Sequence, residues 1–207
     1  MIGIEKVDTK RVKIVETPIL LHKDKEKEDD AIRRAQKGDD DAFTYLVQQH
    51  YGAILNFLYR LSGGDYGYAE DLAQETFLRC HHYMKKYRFK YAFSTWLFTI
   101  ATNIYKKQWH KHKTVELGMG DIDSGKNDMK QEMSPLVLAE QKEGSQRLLL
   151  SIHTLPREQA VALVLREYEQ MSYQEVADVL RTNVNTIKSW VLRAKQALCE
   201  RLSNKGL

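Results

Sequence analysis

The residues best equipped for chemistry lie between Thr76 and Val115. This stretch holds no Asp or Glu, and it carries Arg79, Lys85, Lys86, Arg88, Lys90, Lys106, Lys107, Lys111 and Lys113. Among these cations stand Phe77, Tyr83, Tyr87, Phe89, Tyr91, Phe93, Trp96, Phe98, Tyr105 and Trp109. Cations attract a phosphate backbone, and ring faces stack on unpaired bases. The combination points to a surface that handles single-stranded nucleic acid. The competing reading is a helical hairpin whose rings are core and whose lysines are solvated; some of the rings must be core in either case.

Other chemistries find little support. His81-His82 and His110-Lys111-His112 do not share a helix face and have no carboxylate near in sequence, so no metal site is expected. No glycine loop of the P-loop or dinucleotide type appears, and no cofactor is expected. Nothing local supports a Ser/His/Asp or Cys/His nucleophile, so a binding protein is favoured over an enzyme. Cys80 and Cys199 lie far apart, which argues against a disulfide framework and fits a reducing cytoplasm. No apolar run approaches the roughly 20 residues of a membrane span, and Ile19-Leu20-Leu21 after Pro18 is too short for a signal peptide. The net charge of the 207 residues is only +4, so the clustering of the bases says more than their sum.

Positioning these residues calls for helices. Residues 1–28 read as an appendage, with Val12-Lys13-Ile14-Val15 a possible short strand and Lys23 to Asp30 a solvated charge run. Order is expected from about Asp29, where Ala31, Ile32 and Ala35 line a short helix that Gly38 ends. Asp39, Asp40 and Asp41 supply a cap for the next helix, in which Phe43, Leu46, Val47, Ile54, Leu55 and Leu58 recur at helical spacing until Gly63-Gly64. A third helix is expected from about Tyr68 to Met84, then a loop around Tyr87 to Ala92, then a fourth helix capped by Ser94. Residues 114–135, with Gly118, Gly120, Asp121, Asp123, Ser124, Gly125, Asn127 and Asp128, read as an acidic, flexible linker.

Beyond the linker, residues 136–207 form a second helical unit. Leu148, Leu149, Ile152 and Leu155 make one apolar stripe ended by Pro156, and Ala160, Val161, Val164, Leu165 and Tyr168 a second. Ser172-Tyr173-Gln174-Glu175 is a capping box for a short helix. Asn185 or Thr182 is expected to cap a last, long helix with an inward seam of Ile187, Val191, Ala194, Leu198 and Leu202. Lys188, Ser189, Arg193 and Gln196 fall off that seam. A short helix, a tight turn and a second helix basic on its outer face describe a helix-turn-helix; an ordinary pair in a small bundle is the alternative. The fold class expected is all-α, two small helical domains at 29–113 and 136–207.

Two sets of residues then resemble a known family. Asp71-Leu72-Ala73-Gln74-Glu75-Thr76-Phe77 and Phe93-Ser94-Thr95-Trp96-Leu97-Phe98-Thr99-Ile100-Ala101-Thr102-Asn103 are similar to the second conserved domain of bacterial sigma factors. Leu155-Pro156, Ser172-Tyr173-Gln174-Glu175-Val176-Ala177 and Thr186-Ile187-Lys188-Ser189 are similar to their fourth domain. The order and spacing resemble the small extracytoplasmic-function group of the sigma-70 family over roughly residues 29–203. The resemblance implies that Asp71, Gln74 and Glu75 dock on core RNA polymerase, at the β′ clamp helices, with further contacts to the β subunit. It implies that Arg88, Phe89, Lys90 and Tyr91 capture a flipped base of the minus-ten non-template strand, helped by Asn103, with Lys106 and Lys107 on the basic end of the same helix. It implies that Thr186, Lys188, Ser189 and Arg193 read the minus-thirty-five duplex, with Arg181 and Lys195 weaker candidates. It also implies an anti-sigma factor, often membrane-tethered, as a partner beside promoter DNA. Departures fall at Asn185, where the family often has Gly, at Thr182 and Asn183, at Trp190 and at Tyr91. The rival reading is a helix-turn-helix regulator that binds duplex DNA without recruiting polymerase; it accounts for Ser172 to Arg201 and leaves Thr76 to Val115 unexplained. An adaptor working by protein contacts alone explains neither region.

Overall fold

The computed structural model describes residues 25–116 and 143–203, and every regular element among them is helical. The expectations for Val12 to Val15, for Gly118 to Asp128 and for a start near Leu136 lie outside the described residues.

The first group of helices opens earlier than expected. Helix α1 spans Lys25–Gln36, because Glu28 in its first turn accepts a hydrogen bond from His50 Nε2 at 2.7 Å and is therefore held rather than solvated. Ala31 and Ile32 are buried, and Gly38 turns the chain at φ +95°. Helix α2, Asp40–Leu61, is capped by Asp39, whose side chain accepts from the Ala42 amide at 3.0 Å. Leu46, Ile54, Phe57, Leu58 and Leu61 form its inner stripe. Gly63 and Gly64 both take positive φ, +68° and +93°, and reverse the chain.

Helix α3, Tyr66–Tyr83, is capped by Asp65 through the Tyr68 amide and runs into a single 3-10 turn at Met84–Lys86. Leu72, Ala73, Thr76, Phe77 and Cys80 face inward, as their spacing predicts. Helix α4 spans Phe93–Glu116. Ser94 is not its cap: Trp96 donates its amide to the Ala92 carbonyl at 3.2 Å, and Ser94 is the second helical residue. Phe93 sits in the core at 2% exposure, which fixes the first turn two residues early. The helix also runs past position 113, where the first domain was expected to end.

The second group contains α5 (Glu143–His153), α6 (Arg157–Glu167), α7 (Tyr173–Leu180) and α8 (Val184–Ser203). Its core is Ile152, Leu155, Val161, Val164, Leu165, Val176, Ile187, Val191 and Ala194. The capping box of α7 is complete: Ser172 Oγ accepts from the Glu175 amide at 3.2 Å, and Glu175 accepts from the Ser172 amide at 2.8 Å. Arg181 ends α7 in the left-handed region at φ +52°. The cap of α8 is Asn183, neither Asn185 nor Thr182; its Oδ1 accepts from the Thr186 amide at 2.8 Å. Leu202 lies outside the seam at 44% exposure. Arg201, one position before it, holds the end of α5 by donating to the Ser151 carbonyl and to Thr154 Oγ1. The 100° step to the next residue turns Leu202 outward.

The two groups also pack on each other. Helices α5 and α6 lie against α2, and α7 lies against α4. His153 Nδ1 donates to the Leu61 carbonyl at 2.9 Å, and Arg157 donates to the Lys106 carbonyl at 3.1 Å. A Cβ placed on Gly63 or Gly64 would meet His153 or Leu149 at 3.2 Å, so these glycines serve the approach of α5 as well as the turn.

Candidate nucleic-acid and docking surfaces

The loop between the 3-10 turn and α4 is built on a buried tyrosine. Tyr87 is in the core, and its hydroxyl donates to the Tyr91 carbonyl at 2.8 Å. Burial pushes the Tyr87 hydroxyl up to about 12, so it stays protonated and keeps donating. Its ring packs on Phe89, Phe93 and Trp96 at centroid distances of 5.2, 5.4 and 5.1 Å. From the other side, Gln36 at the end of α1 donates to the Met84 and Tyr87 carbonyls at 3.2 and 3.0 Å. The Lys90 amide closes the tip on the Arg88 carbonyl at 2.7 Å. A short loop is thereby held in one shape without secondary structure of its own.

What the loop presents is open and cationic. Phe89 and Tyr91 are 45% and 43% exposed, and Arg88 and Lys90 are exposed beside them. The Arg33 guanidinium lies 4.9 Å from the Phe89 ring centre, and the Lys90 ammonium 5.1 Å from that of Tyr91. Helix α4 continues this surface. Trp96, Asn103 and Lys107 recur at the spacing that puts them on one helix face. Trp96 is half-buried against Tyr87 and Phe93, while Asn103 and Lys107 are exposed. Lys106 sits differently: it is half-buried where the second group meets α4, and burial lowers its pKa, opposed by Glu158. Gln36, Arg33 and the anchoring role of Tyr87 were missed by sequence reasoning. Tyr87 was only one ring among many, and nothing near Gln36 in the sequence marks it.

On α3 a shallow groove is lined by Asp71, Gln74, Glu75, Leu78, Arg79, His82 and Tyr83. Asp71 and Gln74 are exposed, and Leu78 stands at 72% exposure in their midst. Glu75 is engaged: it pairs with Arg79 one turn on and accepts from Gln108 Nε2 of α4 at 3.1 Å. It therefore ties α3 to α4 and holds Arg79 beside the groove. An apolar knob ringed by polar side chains is the anatomy of a docking centre with its rim. Leu78 was missed because a lone leucine at helical spacing reads as core.

On α8, Lys188, Ser189 and Arg193 are exposed on the face away from the core. Ser189 Oγ donates to the Asn185 carbonyl at 3.0 Å, and the Lys188 ammonium lies 5.9 Å from the Tyr173 ring centre. Thr186 is half-buried in the first turn, its hydroxyl donating to Asn183 Oδ1 at 3.0 Å, so it supports the cap as well as the helix start. Leu192, 58% exposed between these polar groups, adds an apolar contact on the same face. Trp190 packs partly on the core, and Lys195 is paired with Glu167 at 2.9 Å. Among the described residues no cluster of three or more His, Cys, Asp or Glu is placed to hold a metal, and no helix is long and apolar enough to cross a membrane.

Comparison with known proteins adds an independent line. The family model described as Sigma-70 region 2 matches residues 46–114, and that described as Sigma-70, region 4 matches residues 145–198. The chain is 30% identical over 179 residues to the RNA polymerase sigma-H factor of Pseudomonas aeruginosa, covering 84% of this chain and 92% of that one. It is 28% identical over 174 residues to the ECF RNA polymerase sigma-E factor of Escherichia coli, covering 81% and 90%. Among solved structures it resembles the sigma factor RpoE bound to the anti-sigma factor NepR from Bartonella quintana, with 25% identity, a TM-score of 0.59, and 79% and 98% of the two chains covered. CnrH in complex with the cytosolic domain of CnrY shares the fold at a TM-score of 0.64 and 21% identity, with 87% and 99% covered.

Proposed function

We infer a division of labour from one premise: the chain belongs to the extracytoplasmic-function group of the bacterial sigma-70 family, whose members bind core RNA polymerase and direct it to promoters. In this reading α1 to α4 dock on polymerase and handle the minus-ten element, and α5 to α8 read the minus-thirty-five element. The groove around Asp71, Gln74 and Leu78 meets the β′ clamp helices, with Glu75 positioning Arg79. The β subunit supplies further contacts.

The observation that carries the assignment is the loop at Arg88, Phe89, Lys90 and Tyr91. It is fixed from below by Tyr87 and Gln36 and leaves two rings and two cations exposed on top, with Arg88 also donating to the Lys85 and Tyr87 carbonyls. Flipping a base out of its stack costs a few kcal/mol. Stacking one base on a ring returns about 1–3 kcal/mol, so capture at Phe89 or Tyr91 offsets most of that cost when the loop is already ordered. Asn103 and Lys107 then follow the same strand along α4. On α8, Arg193 and Lys188 are placed to donate to guanine O6 and N7 in the major groove, Ser189 adapts to base or phosphate, and Leu192 fits a thymine methyl.

Neither group needs tight affinity alone, because polymerase fixes their spacing and makes the second contact intramolecular. The relatives' complexes support an anti-sigma factor as a further partner. We place the protein in the cytoplasm with the polymerase, acting as a non-catalytic factor; a membrane tether on the anti-sigma factor is part of the same reading. Run-off transcription with purified core polymerase tests it. Promoter-specific transcripts that require this chain support the reading, and duplex binding without transcripts supports a simple helix-turn-helix regulator instead.

A further inference from the structure

Helix α1 reaches the basic loop from outside it. Ala31 and Ile32 are buried, and Glu28 accepts from His50 Nε2, so the rotation of α1 about its axis is fixed. Arg33, Gln36 and Lys37 recur at the spacing that puts them on one helix face. Gln36 ties that face to the loop through the Met84 and Tyr87 carbonyls. Arg33, one turn earlier, is thereby carried to Phe89, where its guanidinium lies 4.9 Å from the ring centre. Helix α1 precedes residues 46–114, the segment that matches region 2, so the match gives it no part in holding a strand.

The charge of Arg33 is not used up within the fold. The next residue, Arg34, pairs with Asp39 at 2.7 Å and reaches Asp30 at 4.0 Å. Among the described residues no carboxylate pairs with Arg33, which is exposed. A guanidinium resting on a ring face still has N–H donors along its edge. The acids of α1 act at the other end of the loop: after burial itself, Asp29 and Glu28 are what raise the Tyr87 hydroxyl. Negative charge thus lies at the buried foot, while Arg33, Arg88 and Lys90 are exposed at the top. Phe89 keeps 45% of its surface open with Arg33 and Tyr87 both against it, so a base has room to stack.

We propose that Arg33 is a strand-binding residue of the capture site: it holds Phe89 in its stacking position and donates to a phosphate of the captured nucleotide. The proposal rests on the reading of the loop as the place of base capture and extends that site to α1. Arginine suits both tasks, because its plane stacks on a ring while its N–H edge meets two phosphate oxygens. Lysine supplies the charge without the plane. The nucleotide is then gripped twice, its base by the loop and its phosphate by α1. Arg34, turned toward Asp39, takes no part.

The test measures binding of the full chain to a fluorescein-labelled single-stranded DNA of mixed sequence and about 12 nucleotides, a length within the usual single-strand site size. Anisotropy titrations are run across a salt series. Arg33→Ala should weaken binding about fivefold, the upper end for an exposed charge pair. It should also lower the salt slope by about 0.7, the value for one phosphate on a single strand. Arg33→Lys should keep the parent slope and bind more weakly than the parent. Arg34→Ala should leave affinity and slope unchanged. The double variant Arg33→Ala with Phe89→Ala should lose less than the product of the two single losses, because the two side chains act as a unit. Arg33 is exposed, so the variants fold, and circular dichroism checks it. Weaker binding with an unchanged slope would make Arg33 a mere support for Phe89 and overturn the proposal. Equal losses in Arg33→Ala and Arg34→Ala would do the same, by reducing the effect to net charge. A loss in Phe89→Ala with none in Arg33→Ala rejects the role of Arg33 alone. No loss in Phe89→Ala rejects base capture at the loop, and this proposal with it.

Discussion

Asn183→Ala should separate two candidate caps that differ by two positions in the sequence. In the structure Asn183 Oδ1 accepts two hydrogen bonds, from the Thr186 amide at 2.8 Å and from its hydroxyl at 3.0 Å. An N-cap of this kind contributes typically about 1 kcal/mol, within a range of about 0.5–2. The site is exposed, which keeps the expected loss near the middle of that range. For a chain of this size, about 1 kcal/mol corresponds to a fall in Tm of roughly 2–4 °C. Asn185 side-chain atoms enter no capping bond, since only its backbone carbonyl accepts, from Ser189. Asn185→Ala should therefore leave Tm within about 1 °C of the parent. The assay is thermal unfolding of both variants beside the parent, with amide exchange at Thr186 and Ile187 as a local reading. Faster exchange confined to the first turn of α8 in Asn183→Ala is expected. Equal losses in the two variants, or a larger loss in Asn185→Ala, would refute the assignment of the cap.

Two further outcomes follow from the geometry. Asp71→Arg, at an exposed position beside Leu78, should abolish pull-down of core polymerase while circular dichroism stays unchanged; normal association would reject the α3 groove as the docking face. Arg193→Ala should weaken minus-thirty-five discrimination by about 1–3 kcal/mol in competition binding against mismatched duplexes if its contact is bidentate, and unchanged discrimination removes it from the reading set.

The local rules in the sequence carried most of the helical framework. Gly38, Asp39 and the Ser172 to Glu175 box act within four residues of themselves, so their neighbours alone specify them. The inward stripes of α2, α3 and α6 were readable for the same reason. Asn183 and Asn185 are the same residue type two positions apart, and only the backbone path after Arg181 decides between them. The early start of α1 depends on His50, the rigidity of the basic loop on Gln36, and the packing of the two groups on Arg60 and Glu169. These partners are distant in sequence, and residue type alone does not announce them. Among the candidate site residues, Arg88, Lys90, Asn103, Lys107, Lys188, Ser189 and Arg193 are exposed. Thr186, Glu75 and Lys106 are tied into structure, and Leu78 and Leu192 join their faces as apolar residues that periodicity would have assigned to a core.

Permanganate footprinting of a promoter with core polymerase and this chain tests the central claim most directly. Unpaired thymines should appear at the minus-ten element only when the chain is present. They should be lost when Phe89 and Tyr91 are both changed to Ala, although the chain still binds polymerase. Opening that persists in that double variant, or a footprint of bound duplex with no reactive thymine, would contradict the account.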